Sequence, residues 1–83
     1  MKRILRINGV IERYGKSRSP IYADIKAGVF VRPFKLGSRA AGWDADEVEQ
    51  LVLARIRGDN DEALRKLVRL LHEARKQAQP AAA

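Results

Sequence analysis

Lys16-Ser17-Arg18-Ser19-Pro20-Ile21-Tyr22-Ala23-Asp24-Ile25-Lys26-Ala27-Gly28 reads as one short helix with a marked start and stop. Ser17 stands where an N-cap hydroxyl can accept a bond from a free N–H of the first turn. Pro20 then falls in that turn, where its missing N–H costs little. Ser19 as the cap, with Pro20 at the first helical position, reads nearly as well. Gly28 suits the left-handed position just past the helix end. Ile21 and Ile25, four apart, share the inward face. Arg18, Ser19, Tyr22, Ala23 and Lys26 are left on the outward one. A helix this short is not stable alone, so neighbours must hold it while its polar face is offered outward.

Upstream, Asn8 is placed to cap a first helix over about Gly9 to Tyr14, with Val10 and Ile11 inward and Tyr14 one turn later. Gly15 ends it, and Gly15 and Lys16 turn tightly into Ser17. Helix, short glycine turn, second helix is the helix-turn-helix pattern, in which the second helix is the recognition helix. Before it, Ile4, Leu5 and Ile7 form a short apolar opening that suits an edge strand.

Downstream the texture changes. Val29-Phe30-Val31 is β-branched and aromatic and favours extended chain, and Pro33 biases Arg32 the same way. Phe34-Lys35-Leu36 alternates apolar and basic, as a half-buried strand does. Gly37 to Gly42 reads as a turn, and Trp43 as the end of a return strand. Residues 34–43 are therefore predicted to form a β-hairpin, or wing, with Arg39 near its tip. Asp44 starts a third helix as N-cap, with Glu47 three residues on as its capping-box partner and Asp46 in the first turn. Val48, Leu51, Val52 and Ile56 form its apolar stripe, and Gly58 ends it.

A fourth helix is predicted from about Asp61 to Gln77. Leu64, Leu67, Leu71, Ala74 and Ala78 recur at the 3–4 spacing of a coiled-coil seam, with Val68 and Leu70 beside them. Two readings stay open. Leu64, Leu67, Val68, Leu71 and Ala74 can serve self-association or a protein partner, the reading preferred for so small a chain. Alternatively the helix folds back on the Val48-Leu51-Val52 stripe and completes its own core. Pro80 and the terminal alanines are expected to fray. The fold class is thus mainly α with a small β-hairpin wing: a winged helix-turn-helix over residues 1–57, plus an additional C-terminal helix and tail over 58–83.

Charge is unevenly spread over the 83 residues. The formal net charge is +7. Residues 1–43 hold ten basic side chains against two acids, Glu12 and Asp24, for a net of +8; the remainder carries −1. A one-sided basic field suits a polyanion, nucleic acid or an anionic membrane, against the bland alternative of a merely soluble basic surface. There is no Cys, so disulfides, zinc fingers and cysteine catalysis are excluded. The N-terminus lacks the apolar core of a signal peptide, and no apolar run approaches the roughly 18 residues of a membrane span. A soluble cytoplasmic protein is expected, with no cofactor or metal. His72 is the lone histidine, without a second ligand for metal, and reads as a surface side chain. Asp44, Asp46 and Glu47 are explained by capping and Glu49 by solvent exposure. Neither a metal cluster nor a catalytic triad is credible, so an enzyme is not expected.

Ile4-Leu5-Arg6, Ser17-Arg18-Ser19-x-Ile21-Tyr22, Lys26-x-Gly28-x-Phe30, Pro33-x-Lys35-Leu36-Gly37-x-Arg39-Ala40-x-Gly42-Trp43 and Glu47-Val48 together resemble the AlpA family. These are small phage- and prophage-type transcriptional regulators, akin to excisionases and to the DNA-binding half of MerR-type proteins. The likeness runs over about residues 4–57. It implies a recognition helix in the major groove and a wing on the backbone or minor groove. The implied roles are control of mobile-element genes or help in excision, with an integrase or RNA polymerase as further partners. Pro20 departs from the family's usual Thr or Ser, which removes a hydroxyl contact to DNA. Val31 stands where the family often has Pro.

The candidate contacts to double-stranded DNA are Lys16, Ser17, Arg18, Ser19, Tyr22, Lys26, Arg32, Lys35, Ser38 and Arg39. Arg18 suits a bidentate pair with guanine, or else a phosphate contact that positions without specifying. Lys26, Arg32 and Lys35 suit phosphates. Tyr22 suits a phosphate or a thymine methyl, or else packing on the wing. Arg39 suits a narrow minor groove; a solvated loop Arg is the equal alternative. Asp24 is expected off this face and paired with a neighbouring Arg, and Trp43 in the core rather than stacked on a base.

Overall fold

A computed structural model describes residues 3–77; the seam position Ala78 and the fraying expected from Pro80 lie outside them. The chain runs β1 (Ile4–Leu5), α1 (Ile7–Tyr14), α2 (Arg18–Ala27), β2 (Phe34–Lys35), β3 (Ala41–Asp44), α3 (Ala45–Arg57) and α4 (Asp61–Lys76). This is a winged helix-turn-helix with an added C-terminal helix, the expected architecture. The sheet has the order β1-β3-β2, antiparallel throughout. β1 pairs Leu5 with Trp43, and β2 pairs Phe34 with Gly42. The apolar opening of the chain is thus an edge strand that covers the hairpin's return strand. Gly42 suits that crowded centre: a Cβ there would lie 2.7 Å from Ile4 Cγ2 and 3.0 Å from Leu36 Cδ1, so these exposed side chains would have to shift.

α1 starts two residues earlier than the Asn8 cap predicts. Its N-cap is Arg6, without a side-chain cap bond. The reason is packing: Ile7 joins Val10, Ile11 and Tyr14 on one helical stripe against the core. Arg6 is held instead by its own Nε, which donates to Ala41 O at 3.0 Å. Ser17 is the N-cap of α2 by backbone geometry, yet its hydroxyl caps nothing. Gly28 sits at φ +84°, and the Val29 N–H bonds back to Asp24 O at 3.0 Å, a Schellman closure.

Val29, Phe30 and Val31 are all buried but form no strand; they plug the core directly. Around them gather Leu5, Val10, Ile21, Trp43, Val48, Leu51, Ala54, Leu64, Val68 and Leu71 in one cluster. Trp43 is 1% exposed, and its indole Nε1 donates to Val31 O at 3.1 Å. It is a core residue, as expected. On α3 the inward stripe is Val48, Leu51 and Ala54, whereas Ile56 is 75% exposed. Ile56 lies two positions past the buried Ala54, about 200° further round the helix, and so falls outside the inward stripe.

α4 folds back. Leu64, Val68 and Leu71 lie inside the chain's own core, and Leu67 is half-buried against it. Ala74 and Leu70 are exposed. Three of the five residues preferred for association are therefore already spent on the monomer, because the true inward stripe is 64-68-71 rather than the 64-67-71-74 seam.

The predicted capping box also gives way. Asp44 caps α3 by accepting from Asp46 N at 2.8 Å. Glu47, however, is buried and turned to α4, where Arg75 Nε donates to Oε2 at 2.9 Å and Nη2 to Oε1 at 2.6 Å. Arg75 Nη2 also donates to Arg32 O at 2.8 Å. A charged pair sealed in this way needs all its donors and acceptors matched, and among the described residues no buried side-chain polar atom lacks a partner.

Candidate nucleic-acid interface

α2 offers the outward face that its spacing predicts. Ile21 is fully buried and Ile25 half-buried, while Arg18, Ser19, Ala23 and Lys26 are exposed. Tyr22 is 44% exposed, and its ring stands edge-on to Trp43 with centroids 6.3 Å apart. Tyr22 therefore packs at the root of the wing, one of the two alternatives expected for it, and leaves its remaining surface open. That contact puts the outward face of α2 beside the hairpin. The hairpin is closed by Leu36 N donating to Ala40 O at 2.8 Å, which leaves Gly37, Ser38 and Arg39 exposed at its tip. Lys35 is exposed on β2.

Arg18, Lys26, Lys35 and Arg39 make no hydrogen bond or ion pair with any described residue. Four unneutralised cations on α2 and the adjoining hairpin produce a positive surface suited to phosphates. Lys16 is different. Its Nζ donates to Asp24 Oδ2 at 2.8 Å and lies 5.6 Å from the Tyr14 ring centroid. Arg32 is held to α4 through its backbone, where His72 Nε2 accepts from Arg32 N at 3.1 Å, while its side chain is exposed and forms no ion pair with a described residue. Burial, together with the Arg32 and Arg75 charges, lowers the His72 pKa below its ordinary value. His72 is thus a neutral clamp between α4 and the approach to the wing, not an ordinary surface side chain.

The orientation of α2 rests on Asp24. Its carboxylate accepts from Tyr14 OH at 2.8 Å, Lys16 Nζ at 2.8 Å and Arg55 Nη2 at 3.4 Å. Arg55 Nη2 donates to Tyr14 OH as well, at 2.8 Å. One acid, the sole one on α2, therefore ties together α1, the turn, α2 and α3. The expected Arg partner is present, with two more donors. Burial alone raises the Asp24 pKa, but the bonds from Lys16 and Tyr14 and the charges of Lys16 and Arg55 prevail and hold it below the ordinary 3.8. Tyr14, through burial and its bond to Asp24, is pushed up to about 12.

A group with a depressed folded pKa stabilises above its unfolded pKa and loses that contribution as pH falls through the folded one. Asp24→Asn should accordingly cost about 1–3 kcal/mol at neutral pH. In denaturant unfolding the gap between wild type and variant should close below pH 4. A gap that persists unchanged in acid would show that the charge of Asp24 is not what the network uses.

Arg55, His72 and Arg75 carry positioning roles that motif reading missed, as does Arg65, whose Nε donates to Ala27 O at 3.1 Å. For Arg55 and Arg75 the signal was nevertheless in the sequence. Arg55 lies seven residues past Val48, and Arg75 seven past Val68, both on inward stripes. A charged residue in such a position needs a buried or edge partner.

The sequence profile described as prophage CP4-57 regulatory protein (AlpA) matches residues 3–56, nearly two thirds of the chain. The chain belongs to the AlpA family. It is, then, a member of a phage regulatory family, as its motifs suggest. The AlpA match spans β1 through nearly all of α3, and so takes in α2 and the hairpin entirely. α4, with its core residues and the Arg75 and His72 clamps, lies beyond the AlpA match. Comparisons with curated proteins and with solved structures found no match. No helix among the described residues is long and apolar enough to cross a membrane.

Proposed function

We propose that this AlpA-family protein is a sequence-specific double-stranded DNA-binding transcriptional regulator of a phage, prophage or other mobile element. Helix 17–27 reads the major groove, and wing 32–43 contacts backbone or minor groove. The observation that carries this reading is the set of four unneutralised cations, Arg18, Lys26, Lys35 and Arg39, displayed on the exposed faces of α2 and the hairpin. Arg18 and Ser19 occupy the first turn, the part of a recognition helix that meets base edges. Lys26, two turns on, serves phosphate. Because Lys16 is drawn onto Asp24, its part in binding is to hold α2 in place; Arg32 is held to His72 by its backbone N–H and keeps an exposed guanidinium for phosphate.

The test compares specific and nonspecific duplexes over a range of salt. Log affinity should fall linearly with log salt, at a slope near −0.9 per phosphate neutralised. Arg18→Ala should cost about 1–3 kcal/mol at one or two base pairs and relax preference there. Lys26→Ala should weaken every sequence alike and reduce the slope by about 1. Arg39→Ala should lose most at A·T-rich flanks. Equal, sequence-blind losses for all three would make α2 a mere positioning element, and salt-insensitive binding would remove the DNA reading. Footprinting identifies the role: a protected promoter supports the regulator, whereas tandem sites beside a recombination attachment site replace it with an excisionase-type architectural factor that directs an integrase.

A further inference from the structure

A second basic feature lies where the end of α2 meets α4. Between the end of α2, the chain leading to the wing and the flank of α4 there is a cleft of about 300 Å³. Its apolar lining is Ile25, Phe30 and Val68; Phe30 and Val68 are core residues, so they form its floor. Arg32, Arg65 and Arg69 stand exposed around the opening, with His72 at one end. None of these three guanidiniums forms an ion pair among the described residues. Arg69 makes no hydrogen bond either, and Arg65 uses only Nε, on Ala27 O at 3.1 Å.

Three like charges converging on an apolar hollow raise the local potential and attract an anion. Guanidinium is the group best shaped to bind carboxylate, through paired charge-assisted bonds. An inorganic ion or a DNA phosphate would satisfy the rim and leave the floor wet. A cleft of this size stands at the small end of small-molecule sites. We propose that the cleft binds a small organic carboxylate, its ring or short chain on Ile25, Phe30 and Val68 and its carboxylate on Arg69 and Arg65. Such a ligand would bridge α4 to the junction of α2 and the wing. Its binding does not depend on the DNA reading.

The test is NMR titration of the labelled protein with 1-naphthylacetate. The Ile25 and Val68 methyl and His72 ring resonances should shift saturably, with a Kd below about 1 mM. 1-Naphthylacetamide, which keeps the ring without the charge, and acetate, which keeps the charge without the ring, should each bind about tenfold or more weakly. Arg69→Gln, at an exposed position without partners, should weaken the acid about fivefold or more at unchanged Tm. Equal binding of the amide or of acetate, no loss in Arg69→Gln, shifts that map elsewhere, or no saturable shift would each overturn the proposal. So would a short DNA duplex that shifts Arg69 and loses salt slope in Arg69→Gln, since the rim would then be a phosphate ligand.

Discussion

Trp43→Ala should cost about 3–5 kcal/mol of folding stability, the usual price of removing a buried Trp ring. Trp43 is the residue that locks the wing to the helices: β3 presents it, Leu5 of β1 pairs with it, Val31 O accepts its indole N–H and the Tyr22 ring packs against it. Its loss opens a cavity where the sheet, α2 and the Val29–Val31 plug converge, and leaves Val31 O without its donor. Domains of this size have about 5–15 kcal/mol in hand, so the variant should unfold at far lower denaturant. Trp43→Phe should recover part of the loss through packing but not the bond to Val31. A Trp43→Ala protein that melts normally and fails only with DNA would reverse the core assignment and make the ring a contact surface.

The second large effect belongs to the Glu47–Arg75 pair. Arg75→Met should cost about 3–5 kcal/mol, because it strands a buried carboxylate. The Glu47 side chain is only 8% exposed and that of Arg75 22%, so solvent cannot compensate. Glu47→Leu/Arg75→Met should recover much of the loss, since well-packed apolar residues commonly replace a buried pair at little net cost. Recovery should stop short of wild type, because Arg32 O loses the Arg75 donor in both variants. Urea unfolding of the two singles and the double gives the coupling directly. Additive losses would mean that the two side chains act separately and that α4 is not fastened through them.

Local signals announced most of the fold. Gly15, Gly28 and Gly58 end their helices at positive φ, where the sequence places them, and Asp44 caps α3. The alternation at Phe34-Lys35-Leu36 and the ring of Trp43 foretold the hairpin. The departures share one cause: long-range packing outweighed local chemistry. Asn8 lost the start of α1 because Ile7 is worth more inside than a cap is at the surface. Glu47 left the capping box for Arg75, a partner 28 residues away that no local pattern connects to it. The fold-back of α4 depended on which apolar stripe won. Leu64, Val68 and Leu71 match the core, but 3–4 spacing fits a seam equally well. In the candidate interface, Arg18, Ser19, Lys26 and Lys35 could be placed outward from periodicity, and Ser38 and Arg39 from the turn of the hairpin. The pairing of Lys16 with Asp24 could not be read that way, since Asp24 comes to it only through the tertiary fold.

The central claim is that α2 and the wing bind duplex DNA as one surface. Its most direct measurement is an NMR titration of the labelled protein with duplex DNA carrying its footprinted site, read as a residue-by-residue map of shift and broadening. The account predicts the largest changes at Arg18, Ser19, Tyr22 and Lys26 and at Lys35, Ser38 and Arg39, with Leu53, Ile56 and Leu70 unmoved on α3 and α4. A map centred on α3 or α4, or no change with DNA at low salt, would contradict it.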